Sequence, residues 1–307
     1  MVVKLLTHEH GKGRVRLLKV TRAADKHTVL QLEAEILLEG PAERAYYNGD
    51  NSSVLPTDSV KNTVYVLAKK HEFDTIEDFA LILAKHFVAT HPQIVDVAKV
   101  KLFETHWERV VTADSTGKVR PHHHAFVGVD SGIATTSAVA RKAPHGGEPV
   151  VSLSAGIDGW RVMKTTQSSF VDFFRDEYTT LPDVPDRLVG TVVKASWTVA
   201  PEALRSCFKT QRAQVKKTLL DAFAGPADVG VPSDAVQATL FQMGEAVLNK
   251  CPFVTDVSIL MPNVHNLPVD VTRFGLKNLH PHGEVFLPTS EPHGIIQATM
   301  VRATSRL

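Results

Sequence analysis

The stretch LQLEAEILLE, residues 30–39, decides the fold class of this chain. Its even-numbered residues are apolar up to Leu38, and four of the five residues between and after them are Gln or Glu. This period of two predicts a strand with one buried face. The β-prone run Val15–Thr21 precedes it, and the connection Ala23–His27 is short enough for a hairpin. The chain is therefore predicted to open with two antiparallel strands.

Helical patterns follow the hairpin. Thr57-Asp58 is a natural helix cap before apolar residues at helical spacing, although a strand also fits residues 63–68. Thr75 and Asp78 match a capping box in front of a clear apolar stripe. The first half therefore predicts two strands and then two helices, before strand character returns at residues 94–110.

The second half repeats this order of elements. Turn residues at 130–150 break both periodicities, so we place domains at 1–140 and 141–307. Strands joined by hairpins, with helices on one face, define the α+β class. The elements predicted after the boundary are strands at 151–164 and 187–199, a helix at 203–224 ending at Gly225-Pro226, a helix after the Pro232-Ser233 cap, and strands at 253–262 and 295–303.

Composition excludes several classes of protein. The formal charge of +1, without long runs of like charge, argues against a nucleic-acid binder. No stretch approaches the roughly 18 apolar residues of a membrane span. Cys207 and Cys251 are the only cysteines, which indicates a reducing compartment rather than a disulfide framework. We expect a soluble globular protein.

The segment Trp160–Arg187, WRVMKTTQSSFVDFFRDEYTTLPDVPDR, carries the most functional information. It resembles the signature of the urate oxidase (uricase) family, of the eukaryotic peroxisomal type. Four further segments resemble motifs of that family in the family's order: His10-Gly11-Lys12, Pro56–Thr63, Val236–Thr239 and Met261–His265. The resemblance implies two tandem tunnelling-fold (T-fold) units, each ββααββ, that assemble into an oligomeric barrel.

The resemblance also implies a substrate site for urate. A guanidinium suits a purine carbonyl and ring nitrogen, an amide suits a second edge, and a phenyl ring stacks on the purine face. The side chains implied for these contacts are Arg187, Gln237 and Phe170. Backbone contacts are implied at Asp58 and Val236, with Leu181 and Ile296 as apolar neighbours.

Proton and oxygen chemistry is implied at other residues. Lys12, Thr57 and His265 resemble the family's proton relay, and Asn263 and Thr57 would hold dioxygen and then water above the purine. The family uses no cofactor or metal and forms 5-hydroxyisourate and hydrogen peroxide. Its active sites lie between subunits of a homotetramer.

The tripeptide Ser305-Arg306-Leu307 resembles a peroxisomal address that an import receptor reads. Localisation in the peroxisome is therefore expected.

The chain departs from the family pattern at Pro56, Trp160 and Asn266, and Asn266 could alter how His265 is held. The run His122–His124 invites a metal interpretation, but no third ligand is evident. Two alternatives stay open at this point: a purine-binding homologue without catalysis, and a metal-dependent T-fold enzyme that acts on a pterin or purine.

Overall fold

The computed structural model describes residues 3–23, 26–144, 146–278 and 283–302. The tripeptide of the predicted peroxisomal address lies outside these ranges. Within them, no helix is both long and apolar enough to cross a membrane.

The chain divides into two compact units. Unit 1 comprises Met1–Gly156 and Thr198–Thr210, and unit 2 comprises Ile157–Trp197 and Gln211–Leu307. Two long strands, β7 (Val150–Lys164) and β8 (Val189–Val199), contribute residues to both units. The division into repeats at residue 140 concerns the order of elements rather than these contacts, and it stays a prediction.

Unit 1 is an antiparallel sheet with helices packed on it. The sheet order is β1-β2-β3-β6-β7, and β4 and β5 form a separate two-stranded sheet. The elements before β7 are β1 (His10–Arg22), β2 (His27–Glu39), α1 (Glu43–Asn48), α2 (Thr57–Lys70), α3 (Ile76–Thr90), β3 (Val97–Thr105), β4 (Trp107–Ala113), β5 (Val119–Gly128) and β6 (Ile133–Arg141).

The alternating segment at residues 30–39 lies in strand β2, and its two faces differ in burial. Leu32, Ala34, Ile36 and Leu38 of β2 are at most 1% exposed. The residues between them lie on the other face, where Glu33 accepts a hydrogen bond of 2.8 Å from the Arg16 Nε of β1. The predicted hairpin of the first two strands is confirmed.

The helices of unit 1 cover the apolar face. α2 packs against β1, and α3 packs against β3 and β6. Thr75 caps α3 as predicted, because its hydroxyl accepts a hydrogen bond from the Asp78 backbone N–H. The cap predicted at Thr57-Asp58 is wrong: Thr57 is the first helical residue, and the cap position holds Pro56, whose side chain offers no hydrogen bond. Residues 63–68 belong to α2 rather than to a strand.

Unit 2 repeats the plan of sheet and helices. β7 lies beside β8, β8 lies beside β9, and β9 pairs antiparallel with both β10 and β11. α5 packs against β9 and β11. The elements after β8 are α4 (Phe208–Ala224), α5 (Val236–Lys250), β9 (Val254–Pro268), β10 (Phe286–Thr289) and β11 (Ile295–Val301), with short 3₁₀ turns at Pro201–Ala203 and Thr272–Phe274.

Two helix starts in unit 2 differ from the sequence prediction. The helix expected from residue 203 begins five residues later, at Phe208, although it ends as predicted before Gly225, whose φ of 72° favours glycine. Ser233 does not cap α5. Its hydroxyl bonds the Thr239 hydroxyl instead, and α5 begins after Ala235 without a side-chain cap.

Several short elements carry no clear sequence signal. The sequence pattern does not predict α1, β5, β6 or β10, and β6 lies inside residues 130–150, where the domain boundary is expected.

The β4–β5 turn is fixed by Asp114, whose Oδ1 accepts hydrogen bonds from the backbone N–H groups of Thr116 and Lys118. A hydrogen bond from the Thr116 hydroxyl, these two backbone bonds and the nearby Arg120 lower the pKa of Asp114 to about 2. The α+β class with antiparallel strands is confirmed.

Gly40 follows the end of β2 and lies against the backbone of Ile94, so a substitution there tests this packing. A Cβ at Gly40 would lie 2.1 Å from the Ile94 carbonyl oxygen, which is backbone and cannot swing away. We expect Gly40→Ala to lower the free energy of unfolding by about 1–3 kcal/mol, read from the midpoint of urea denaturation. Gly13→Ala is the matched control, since a Cβ there meets nothing within 4 Å. Equal midpoints for the two variants would contradict this packing.

Candidate active site

A cavity of about 640 Å³ lies in unit 2, and its wall contains many of the predicted site residues. β8, β9, β11, the start of α5 and the irregular segment between β7 and β8 all contribute to it. The predicted residues that line it are Phe170, Leu181, Arg187, Val236, Gln237, Asn263, His265 and Ile296.

The segment between β7 and β8 is irregular, but hydrogen bonds hold its two functional side chains. The backbones of Phe170 and Val184 exchange two hydrogen bonds of 2.8 and 3.0 Å. The Arg187 N–H donates to the Ser168 carbonyl at 2.8 Å. Phe170 and Arg187 therefore belong to one cross-linked loop, and the Arg187 Cζ lies 5.4 Å from the centre of the Phe170 ring.

The same loop is tied to the start of α5. The Ser233 N–H donates to the Gln167 carbonyl at 2.8 Å, and the Ser169 N–H donates to the Ser233 carbonyl at 3.0 Å. α5 begins three residues after Ser233, with buried Val236 and exposed Gln237 as its first two residues. Gln237 thus lies in the first helical turn as predicted, where the helix dipole favours an anion.

Arg187 contributes a positive charge to the cavity. Its side chain is half-buried, and burial lowers the pKa of the guanidinium. Its Nε is buried without a hydrogen-bond partner, and no carboxylate of the described residues forms an ion pair with it. The neighbouring Asp186 accepts from the Thr166 hydroxyl at 2.7 Å. A surface ion pair, the ordinary role of an arginine, does not describe this residue.

β9 brings the remaining predicted side chains to the cavity. Asn263 and His265 are two residues apart, so their side chains leave β9 on the same face. The Asn263 N–H donates to the Gly294 carbonyl at 3.0 Å. Ile296 pairs with Met261 across the β9–β11 ladder. Asn263, His265 and Ile296 are all partly buried.

The cavity also contains residues that the motifs did not indicate. Asn266 lines it, and its Nδ2 is buried without a hydrogen-bond partner, about 3.6 Å from the position of a Cβ on Gly190. Phe286 forms another part of the wall. The backbone next to it is held by Asn278, whose amide donates to the Val269 and Val285 carbonyls and accepts from the Glu284 and Val285 N–H groups at 2.6–2.9 Å. Because this buried asparagine lies outside any helix or strand, the sequence around it has no periodic pattern that could predict these hydrogen bonds.

Lys12, Thr57 and Asp58 belong to unit 1, where they lie near one another. Lys61 lowers the pKa of the Asp58 carboxyl through a 2.7 Å hydrogen bond and its charge, and Lys12 adds a smaller contribution in the same direction. Lys12 is partly buried, and Thr57 and Asp58 are exposed at the start of α2. Unit 1 therefore brings Lys12 close to the helix start that carries Thr57.

The histidine run is built into the β4–β5 hairpin. The His122 Nδ1 accepts hydrogen bonds from the backbone N–H groups of His124 and Ala125 at 3.2 and 3.0 Å. The described part of the chain contains no group of three or more His, Cys, Asp or Glu side chains placed to hold a metal ion. Trp160, another departure, is buried in unit 2, where the Lys216 Nζ lies 5.1 Å from its ring centre.

Comparison with known proteins agrees with this geometry. The model of the family described as Uricase matches residues 8–138 and 153–297. Uricase-2 isozyme 2 of Glycine max is 40% identical over 306 residues, which covers 97% of this chain and 95% of that protein. Uricase of Arabidopsis thaliana is 39% identical, covering 98% and 97%. The crystal structure of uricase from Arthrobacter globiformis superimposes with a TM-score of 0.85 at 35% identity, covering 100% of this chain and 98% of that one. The chain belongs to the uricase family.

Proposed function

We propose that this protein is a urate oxidase, an oxidoreductase of purine catabolism that uses dioxygen without a metal or organic cofactor. The observation that supports this most strongly is the half-buried Arg187 guanidinium beside the Phe170 ring, without a carboxylate partner among the described residues, in the cavity of a uricase-family chain. Urate is a flat anion, and this pair offers it a positive charge, fixed donors and an aromatic face.

The side chains of the substrate clamp belong to unit 2. The Arg187 donors bind a purine carbonyl and ring nitrogen, because a guanidinium presents them in a rigid fork. Phe170 stacks on the purine. Gln237 binds the opposite edge from the first turn of α5, where the helix dipole adds attraction for the anion. Val236 and Asp58 supply backbone contacts, and Leu181 and Ile296 are the apolar neighbours.

The oxidation follows from removing protons from urate. Lys12, Thr57 and His265 relay the protons, and the resulting electron-rich purine passes two electrons to dioxygen held by Asn263 and Thr57. Dioxygen takes up two protons and leaves as hydrogen peroxide. Water then adds its hydroxyl to the purine at C5 and releases a proton. Urate, dioxygen and water thus give 5-hydroxyisourate and hydrogen peroxide.

The proposed site residues are divided between the two units of the chain. Lys12 and Thr57 belong to unit 1, whereas Arg187, Gln237 and the third relay residue, His265, belong to unit 2. We propose that each active site combines Lys12 and Thr57 of one subunit with Arg187, Gln237 and His265 of another, within a homotetramer whose sheets form a barrel. Peroxisomal localisation and recognition by an import receptor remain predictions from Ser305-Arg306-Leu307.

The first prediction concerns the activity itself. Purified protein should remove the ultraviolet absorbance of urate, consume dioxygen and release peroxide at the same rate with and without a chelator. Arg187→Gln should lower kcat/KM roughly ten- to a hundredfold, because hydrogen bonds to a charged group contribute about 1.5–3 kcal/mol. The exposed Arg205→Gln is the control and should match the wild type. Urate binding without dioxygen uptake would identify a non-catalytic homologue, and activity lost to chelator would identify a metal enzyme.

The second prediction concerns the shared site. Lys12→Ala and Arg187→Ala proteins should each be inactive alone, because one lacks the relay and the other lacks the clamp. When the two are unfolded together and reassembled, mixed oligomers should regain part of the activity, since some sites then contain both wild-type halves. Mass spectrometry of the assemblies verifies the mixing. Verified mixed oligomers without urate oxidation would rule out sites between subunits.

A further inference from the structure

Strand β9 changes its partner just before His265. β11 pairs with β9 only as far as Pro262. From His265 onwards the partner is β10, whose last residue, Thr289, pairs with His265 and whose first residue, Phe286, pairs with Pro268. The position of His265 in unit 2 therefore depends on how β10 is held against β9.

β10 is a weak strand on its own. It has four residues, and the third of them is Pro288, which has no backbone N–H to donate to the ladder. A short pair of strands has marginal stability unless other contacts support it. β10 therefore needs an anchor outside its own ladder to keep its register with β9.

Asn278 provides an anchor at the end of β10 that lies away from His265. Its Nδ2 donates to the Val285 carbonyl at 2.6 Å and to the Val269 carbonyl at 2.8 Å. Its Oδ1 accepts from the N–H groups of Glu284 and Val285, both at 2.9 Å. Val269 directly follows β9, and Val285 directly precedes β10. One side chain therefore ties the end of β9 to the start of β10.

The amide of Asn278 is matched to this position. The residue is 3% exposed, and both of its N–H groups and both lone pairs of its oxygen have partners. A carboxylate of the same shape would keep the accepting oxygen but lose both donors. An apolar side chain would leave all four backbone groups without this partner, and an unpaired polar group costs more than an ordinary hydrogen bond contributes.

We propose that Asn278 is a positioning residue, which keeps β10 in register with β9 and thereby fixes the place of His265. The proposal rests on the proposed function of His265 in the proton relay. It assigns no contact between Asn278 and urate, because Asn278 is not among the described residues that line the cavity. A displacement of about 1 Å in a reacting group can lower a rate about a hundredfold, so the register of one short strand affects turnover.

Asn278→Asp in the full chain tests this role, since it keeps the size of the side chain and removes both donors. We expect kcat for urate to fall roughly tenfold or more, because His265 is displaced. KM should change less than about threefold, because Arg187 and Gln237 are held by other elements. Asn249→Asp is the matched control: Asn249 is exposed at the end of α5, and its replacement should leave kcat unchanged.

Val215→Ala separates positioning from a general loss of stability. Val215 is fully buried in α4 of unit 2, so its truncation lowers the free energy of unfolding. The midpoint of urea denaturation should fall, while kcat measured without urea should stay within about threefold of the wild type. A loss of kcat as large as that of Asn278→Asp would show a general effect and overturn the role assigned to Asn278.

A disulfide at the same place tests whether the tie between the strands is what matters. Val269 and Val285 are exposed, and their backbones share a hydrogen bond of 3.1 Å. Opposite residues of antiparallel strands lie about 5.5 Å apart at Cα, which suits a disulfide. Val269→Cys and Val285→Cys are added to Asn278→Asp, and the exposed Cys207 is replaced by serine in every variant.

The oxidised protein should recover kcat to within about threefold of the wild type, and reduction with dithiothreitol should remove the gain. This comparison also serves if Asn278→Asp alone does not fold, since the oxidised form is then measured before and after reduction. A disulfide that restores the urea midpoint without restoring kcat would contradict the positioning role.

Hydrogen exchange of residues 263–268, followed by mass spectrometry, does not depend on catalysis. Exchange should be faster in Asn278→Asp than in the wild type and slow again in the oxidised disulfide variant. A wild type that does not oxidise urate would refute the proposed function, yet exchange would still decide whether Asn278 holds this part of β9. The positioning role is overturned if Asn278→Asp keeps the wild-type kcat, or if kcat falls while exchange stays at the wild-type rate.

A double variant tests whether the effect acts through His265. In a His265→Ala background, Asn278→Asp should cause no further loss of residual activity, because the place of the ring no longer matters once it is gone. Equal fractional losses in both backgrounds would show that Asn278 acts elsewhere.

Discussion

The main sheet in each unit of this protein has one apolar face, and the need to bury that face determines where the helices that carry Thr57 and Gln237 begin. Fully burying a leucine or isoleucine contributes about 1.5–3 kcal/mol, so a strand such as β2 strongly favours a helical cover. α2 and α5 take their places through this packing, and neither has a side-chain cap at its first turn. α3, which carries no predicted site residue, is capped by Thr75. α1 also lacks a side-chain cap, so this feature is not confined to the helices that carry Thr57 and Gln237, but in those two the first N–H groups are left for other partners.

The sequence predicted the features whose physical cause is local. Alternation in residues 30–39 and the apolar stripe after Thr75 each reflect a single buried face, and both predictions are confirmed. The caps proposed at Thr57 and Ser233 are wrong because tertiary contacts decide those helix starts. Ser233 bonds the loop at Gln167 and the Thr239 hydroxyl, and neither partner can be inferred from the residues next to it.

The candidate site shows the same difference between features that short motifs predict and features that depend on tertiary contacts. Short motifs indicated Phe170, Arg187 and Gln237, and the fold brings all three to one cavity. The motifs did not indicate the part of the wall that contains Phe286 or the Asn278 amide that holds the backbone next to it. The bonds of that amide depend on backbone groups of residues 269, 284 and 285, which come together only after folding. A pattern read along the chain has no access to it.

The half-buried guanidinium of Arg187 has a consequence for the energetics of unit 2. A charge partly removed from water without a carboxylate partner among the described residues destabilises the folded chain, and an anion that pairs with it returns that free energy on binding. An anionic ligand of this cavity therefore stabilises the fold, because it binds the native state and not the unfolded chain. Under the proposed function that ligand is urate, and the protein is then most resistant to heat and proteolysis when urate is abundant.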